Sequence, residues 1–403
     1  MIARDLADIV LDAALLYPVV TVTGPRQSGK TTLCRALFPD RPYVSLEPLD
    51  VREHAVSDPR GFLAEIEDGA VLDEVQHAPG LFSYLQEEVD RRPDPGRFVL
   101  TGSQHFGLSQ QISQSLAGRT AVLHLLPPGL DELRRFPSPP EELFATLLTG
   151  AFPRIHDRAI PSDRWLADYV ATYVQRDVRQ LLEVGNLQTF ATFLRLCAGR
   201  TAQELNLSSL AGDVGVTHNT IRSWLSVLET SYLVFRLPAW HRNPGKRLVK
   251  APKLHWIDSG LVCHLLGIRE TEQLKLHPLR GSIFESWVAS EIRKAHLHRG
   301  VPADLYHLRQ TRGTELDLIV EHGRALVSVE CKSGRTVSGE FLRPLNWFRE
   351  AMLESGEADR VDSVLVHGGD ASQTRDGVAV LPWAGVADHP WTGEGREPRS
   401  RPD

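Results

Sequence analysis

The sequence predicts an α/β chain of three modules, and three observations carry that reading. From residue 19 to about 130, short apolar runs alternate with helical patterns, as in a parallel sheet with crossover helices. From about 141 to 235 the periodicity is helical. From about 278 it returns to a helix, three strands, a helix and a strand. At 403 residues the chain is too long for one ordinary domain. The expected boundaries are 1–140, 141–270 and 271–386, with a Gly-, Pro- and charge-rich tail over 387–403 expected to be disordered.

In the first module the strands are expected at Val19–Thr23, Tyr43–Leu46, Ala70–Leu72, Arg97–Thr101 and Ala121–Leu126. The first runs into Gly24-Pro25-Arg26-Gln27-Ser28-Gly29-Lys30-Thr31-Thr32, which fits GxxxxGK[ST] between a strand and a helix. Such a loop curls so that backbone N–H groups and a helix N-terminus face phosphates. Lys30 is expected to reach the β- and γ-phosphates of ATP, and Thr31 to ligate Mg²⁺. The loop reads phosphates rather than the base, so it leaves ATP and GTP undistinguished.

The strand Ala70–Leu72 ends in Asp73 and Glu74. Asp73 is expected to hold the same Mg²⁺ through water, and Glu74 to act as general base on the attacking water. Thr101 and Ser103 end the strand of Arg97–Thr101, where ligands of open α/β sheets lie. Ser103 is the candidate γ-phosphate sensor, with Gln104 behind it. Arg119 is either an arginine finger acting on a neighbouring subunit, which requires an oligomer, or a surface salt-bridge residue.

These motifs, GPRQSGKTT, VLDEVQ, LTGSQ and LAGR, resemble a bacterial and archaeal group of AAA-type ATPases. In that group a C-terminal domain of unknown function follows the ATPase domain. Further matches are GAFPRI at 150–155, YVATYVQRDV at 169–178, KAPKLHWIDSGL at 250–261, FE at 284–285, TELD at 314–317 and VECK at 329–332. The resemblance implies ATP binding, an AAA-like fold and a nuclease-like C-terminal module.

In the middle, helices are expected at Trp165–Leu182, Phe190–Cys197, Ser208–Asp213 and Asn219–Glu229. The last two, with Thr217 as N-cap, look like a helix-turn-helix. Ile221, Trp224, Leu225 and Leu228 share a core face, while Asn219, Arg222 and Ser223 point out. Two strands, Tyr232–Trp240 and Arg247–Asp258, would form a wing. Between 236 and 253 stand Arg236, Arg242, Lys246, Arg247, Lys250 and Lys253 with no acidic residue, against a formal net charge of −6 for the whole chain. A local basic patch of this kind suits DNA phosphates. Winged helices also serve as protein-packing units, so an unidentified protein partner stays open.

In the last module, Asp317 precedes Glu330-Cys331-Lys332 by thirteen residues. This segment resembles the PD-(D/E)xK restriction-endonuclease-like superfamily, although Leu316 stands where that pattern has Pro. Residues i and i+2 of a strand share a face, so Glu330 and Lys332 point together. Asp317, Glu330 and Glu285 would bind Mg²⁺, and Lys332 would orient water or stabilise charge. Arg309 and Gln310 are candidates for phosphate contact. The module either cleaves or serves as a scaffold.

The expected architecture is therefore an AAA-like P-loop ATPase with a parallel sheet, a central helical and winged-helix module, and a restriction-endonuclease-like α/β domain. The cysteines Cys34, Cys197, Cys263 and Cys331 have no metal-ligand spacing and read as reduced core thiols. No apolar run approaches the ~18 residues that span a membrane. The N-terminus, with Arg4, Asp5, Asp8 and Asp12, is too acidic for a secretory signal. A cytoplasmic location is expected.

Overall fold

The computed structural model describes residues 2–103, 114–173, 187–241, 250–310 and 313–393. Helix α1 (Leu6–Leu16) precedes β1 (Val19–Thr23), α2 (Lys30–Leu37), β2 (Tyr43–Ser45), α3 (Leu49–Ser57), α4 (Pro59–Ala64), β3 (Ala70–Asp73), α5 (Leu81–Arg91), β4 (Phe98–Gly102) and β5 (Thr120–His124). The five strands make a parallel sheet of order β2-β3-β4-β1-β5. Every residue of β1, β3 and β4 is buried, as expected of a sheet covered on both faces. The order puts β1 between β4 and β5, so the loop after β1 opens at the carboxyl edge beside the ends of β3 and β4.

Short helices follow: α6 (Leu130–Leu133), α7 (Leu143–Thr149), α8 (Pro153–Arg158), α9 (Ser162–Tyr173) and α10 (Leu187–Ala198). The helix expected over Trp165–Leu182 is described as far as Tyr173; the remainder, with Arg176 and Asp177, lies outside the described residues. Then come β6 (Gln203–Glu204), α11 (Leu207–Val214), α12 (His218–Thr230), β7 (Val234–Leu237) and β8 (Lys253–Trp256), with strand order β6-β8-β7. Thr217 caps α12, its side chain accepting from Thr220 N. Ile221, Trp224, Leu225 and Leu228 are buried. The two strands are shorter than expected, and β6 was absent from the sequence-based assignment.

Helices α13 (Ser259–Leu265), α14 (Thr271–Leu276) and α15 (Arg280–Leu297) lead into β9 (Leu305–Arg309), β10 (Glu315–His322), β11 (Ala325–Lys332), α16 (Arg343–Glu354), β12 (Arg360–His367), β13 (Gln373–Arg375) and β14 (Val378–Pro382). Their mixed sheet has the order β13-β14-β12-β11-β10-β9. Strands β9, β10 and β11 are antiparallel, and β12 is parallel to β11 after the α16 crossover.

One continuous apolar core joins the middle helices to α15 and the last sheet, running from Leu126 to Trp391. Trp391 is buried, and its Nε1 donates to Val386 O at 2.7 Å. The ordered chain thus extends beyond residue 387, where the tail was expected to start; residues 394–403 lie outside the described set. All four cysteines are buried and free. Among the described residues no helix is long and apolar enough to cross a membrane.

Candidate functional site

The loop after β1 forms the floor of a cavity of about 820 Å³. Its shape depends on Gly24: a Cβ there would lie 2.1 Å from Leu125 O. Lys30 opens α2, is buried, and folds back to donate to Gly24 O at 3.0 Å and Pro25 O at 2.8 Å. Burial lowers its pKa to about 8. Ser28 is buried, whereas Arg26, Gln27, Gly29, Thr31 and Thr32 line the cavity.

The acidic end of β3 lies directly opposite. Thr31 Oγ1 donates to the Asp73 carboxylate at 3.0 and 3.2 Å. Tyr43 OH donates to Asp73 Oδ2 at 2.7 Å, and Thr101 Oγ1 to Asp73 Oδ1. Asp73 is thus fixed by neutral donors, with its oxygens beside the Thr31 hydroxyl. A hydroxyl and a carboxylate so placed fit the water-rich oxygen shell that Mg²⁺ prefers. Glu74 adopts a left-handed backbone at φ 58° and lines the cavity. Its carboxylate accepts from Gln76 Nε2, which also lies 3.4 Å from Ser103 Oγ. Loop, Asp73, Glu74 and Ser103 are therefore assembled at one edge; Gln104 lies outside the described residues.

Arg119 is elsewhere. It precedes β5, whose first residue pairs with Val19, so it stands at the opposite end of the sheet from the loop. Its guanidinium grips Asp90 at 2.6 and 2.8 Å. Expected as an ATP contact, it makes none with the cavity of its own chain, because the parallel strands carry it to their amino ends.

The opposite wall of the cavity was not foreseen. Arg154 and Arg158 of α8 and Tyr169 of α9 line it. Buried Arg4 braces the floor, donating to Ser28 O at 2.9 Å and Leu126 O at 2.7 Å. Its Nε meets Glu132 Oε1 at 2.9 Å, and Glu132 meets His298, just beyond α15, at 3.1 Å. Although burial opposes ionisation, His298 and Arg4 hold the Glu132 carboxyl well below its usual range. Arginines in GAFPRI and near the N-terminus had no partner visible in the sequence.

In the last module, α15 supplies Glu285, β10 supplies Glu315 and Asp317, and β11 supplies Glu330 and Lys332. Lys332 Nζ contacts Glu330 Oε1, as their shared face predicts. Asp317 Oδ2 accepts from Cys331 N at 2.8 Å. The sixth member is Lys253, which opens β8 and is only 3% exposed. Its Nζ lies 2.8 Å from Glu285 Oε1, 2.8 Å from Glu315 Oε1 and 3.9 Å from Asp317 Oδ1. Burial, together with the charge of Asp317, raises the Glu285 and Glu330 carboxyls, the latter to about 8.

This arrangement corrects one expectation, the place of Lys253. Asp317 Oδ2 accepts from Cys331 N, Glu330 Oε1 meets Lys332 and Glu285 Oε1 meets Lys253, while Glu330 Oε2 has no hydrogen-bond partner. Among the described residues no three His, Cys, Asp or Glu side chains are placed to hold a metal ion. Lys253, counted as a phosphate-facing wing residue, is buried in the acidic cluster instead. Arg236 of the same stretch pairs with Glu229. Asn219, Arg222 and Lys250 are exposed as expected, while Arg242, Lys246 and Arg247 lie outside the described residues. Arg309 pairs with Glu204 at 3.4 Å.

Residues 16–134 match the AAA domain family. Residues 140–272 and 280–385 match two domains of unknown function, DUF8612 and DUF4143. The uncharacterized proteins Rv2008c of Mycobacterium tuberculosis and Mb2031c of Mycobacterium bovis are each 32% identical over 340 residues, covering 83% of this chain and 75% of theirs. The chain belongs to their family. Its N-terminal domain is an AAA-type domain, with the phosphate-loop motif between β1 and α2. Solved structures with partial likeness include the Walker-type ATPase of Pyrococcus abyssi, with TM-score 0.43 and 12% identity over 65% of this chain and 94% of that one. AMPPCP-bound DnaA of Aquifex aeolicus has TM-score 0.30 and 15% identity over 56% and 85%.

Proposed function

We propose that this protein binds and hydrolyses ATP with Mg²⁺, and that nucleotide state governs how its middle module engages a partner, DNA first among the candidates. The observation that carries the ATPase reading is that Lys30, Thr31 and Glu74 line one cavity, with Asp73 hydrogen-bonded to Thr31. Lys30, now held by the carbonyls of Gly24 and Pro25, turns to the β- and γ-phosphates when they displace those acceptors. Thr31 and Asp73 would hold Mg²⁺, which would offset the charge of the phosphates. Glu74 takes the proton of the attacking water once its carboxylate leaves Gln76, and Ser103 faces the γ-phosphate. Arg154 and Arg158 supply positive charge from the far wall, and Arg119 of a neighbouring copy would complete the site in a homo-oligomer.

The deciding variant is Glu74→Gln, which keeps shape and removes the base. ATP should still bind, and turnover should fall by roughly 10²–10⁴-fold. Turnover within a few-fold of wild type would remove Glu74 from the mechanism. Mixing Arg119→Ala with Lys30→Ala protein tests the subunit arrangement, because only a trans finger lets mixed assemblies regain activity.

A second reading concerns the other modules, taken as 141–270 and 271–386. The run α10-β6-α11-α12-β7-β8 with strand order β6-β8-β7 suits a winged helix. Exposed Asn219, Arg222 and Lys250, together with Arg242, Lys246 and Arg247, would meet DNA. The run α15-β9-β10-β11-α16-β12, with Glu285, Asp317, Glu330 and Lys332, suits a nuclease-like module. DNA retention that weakens in Arg222→Ala supports the first. Nicking that disappears in Asp317→Ala supports the second. Retention with no nicking leaves a nucleotide-dependent switch whose last module is a scaffold.

A further inference from the structure

A buried lysine that reaches across two modules to an acidic cluster is doing something the nuclease-like pattern does not require. Lys253 belongs to β8 of the three-stranded sheet, and its backbone is fixed by pairing with Leu237 on one side and Glu204 on the other. From there its side chain enters the cluster formed by α15, β10 and β11. It touches Glu285 and Glu315 at 2.8 Å each and faces Asp317 at 3.9 Å. Lys332 serves Glu330 on the other side. Four carboxyl groups thus face two ammonium groups. The second Glu330 oxygen, Oε2, is buried without a hydrogen-bond partner.

We propose that Lys253, a side chain of the middle module, supplies the positive charge of the C-terminal carboxylate cluster in place of a divalent metal ion. The inference rests on reading that cluster as nuclease-like, since only then is a metal ion the competing occupant. Buried carboxylates need a cation within a few ångströms, because their mutual repulsion is poorly screened. An ammonium with three donors can meet two carboxylates at once. A tethered cation is always present, whereas a free ion must enter and strip its water. Entry of a divalent ion would also leave Lys253 buried beside like charge, so the ion binds only if the start of β8 withdraws. The cluster is therefore a clamp between the two modules, closed by the lysine. The cleft lined by Lys253, Glu315, Arg309 and His218 lies along this seam.

The test uses the full-length protein, stripped with EDTA and free of nucleotide, with Mn²⁺ as the probe read by electron paramagnetic resonance. Wild type, Asp317→Asn, Lys253→Met and Lys253→Met/Asp317→Asn are compared, together with their melting temperatures. Wild type should show no Mn²⁺ that depends on Asp317. Lys253→Met should melt lower, take up about one Mn²⁺ lost in the double variant, and be partly restabilised by it. A Lys253→Met protein that melts lower, takes no Mn²⁺ and is rescued by adding Glu285→Gln also supports the lysine as counter-charge, and removes the nuclease reading. Asp317-dependent Mn²⁺ in wild type overturns the inference and leaves the nuclease reading standing. A Lys253→Met protein that melts like wild type and takes no metal overturns it too. If Lys253→Met does not fold, Lys253→Met/Glu285→Gln removes both charges of the pair, and the wild-type measurement is read against Asp317→Asn alone.

Discussion

The hydroxyls of Thr23 and Tyr232 lie 2.9 Å apart although 209 residues separate them. Thr23 ends β1 and immediately precedes Gly24 of the phosphate loop; Tyr232 follows α12. His124 closes the triangle, with its Nδ1 2.9 Å from Thr23 Oγ1 and 2.8 Å from Tyr232 OH. Burial, with Arg293 nearby, lowers the His124 pKa to about 4, so the ring is neutral near pH 7. The strand that carries the loop is thus hydrogen-bonded to the residue that follows the end of α12.

This triangle predicts the behaviour of Tyr232→Phe. The ring stays and the hydroxyl goes, so stability should fall by about 1–2 kcal/mol in a denaturant melt, the worth of one or two buried hydrogen bonds. ATP should still bind. In wild type, ATP should change the hydrogen exchange of α12; in Tyr232→Phe that response should shrink. An undiminished response would show that the coupling runs elsewhere.

Lys30 predicts a pH dependence of ATP affinity. In the free protein burial holds its pKa near 8. Bound phosphates favour the ammonium, so the bound pKa is higher. Between those two values binding takes up a proton, and affinity must fall as pH rises. Below about pH 8 this group adds no slope; above it affinity should fall about tenfold per pH unit. Calorimetry in buffers of different ionisation enthalpy would report the proton uptake. Uptake at pH 8.5 that persists in Lys30→Met would assign it to another group.

Much of the nucleotide site was legible because its chemistry is local. The loop, Asp73 and Glu74 are marked by spacing along strand–loop–helix segments, and the β1, β3 and β4 expectations fall within a residue or two of the observed strands. Strands β13 and β14 and the two-residue β6 gave too little alternation to be seen. Partners distant in sequence were invisible. Lys253 read as basic because its neighbours are basic, whereas its fate was set by Glu285 and Glu315, thirty-two and more residues away. Trp391 sat in a polar context, and only the shape of the core shows that it is inside.

Arg4 predicts a large loss on substitution. It holds the loop at Ser28 O and pairs with Glu132 in a site where the two side chains are 6% and 0% exposed. Arg4→Met would leave Glu132 with His298 as its remaining side-chain partner. Breaking such a pair costs about 3–5 kcal/mol. Stability in urea should drop accordingly, and ATP affinity should fall with it because the loop loses its brace. Adding Glu132→Gln should recover part of the stability without restoring affinity. Recovery of both would mean that Arg4 acts on the nucleotide only through charge balance with Glu132.

Gly150 joins two of the segments whose role the sequence left open, GAFPRI and WIDSGL. Its backbone has φ +72°, and a Cβ there would lie 2.5 Å from Asp258 Oδ1. Gly260 is the counterpart, with its own Cβ position 2.8 Å from Gly150 N. Asp258 is buried and accepts from Ala151 N at 2.7 Å and Leu261 N at 2.8 Å, which caps α13 and pins the start of GAFPRI together. Burial raises its pKa, and those two backbone donors oppose the rise. Gly150→Ala meets both the backbone preference and the Asp258 carboxylate, so a loss of roughly 2–4 kcal/mol is expected. Helix α8 begins three residues later and carries Arg154 and Arg158 to the nucleotide cavity. A shift of the joint should therefore weaken ATP binding even in protein that remains folded. Titration of a fluorescent ATP analogue against folded Gly150→Ala, with Arg154→Ala as reference, would separate the effects. Unchanged affinity in Gly150→Ala beside a clear loss in Arg154→Ala would confine the joint to stability.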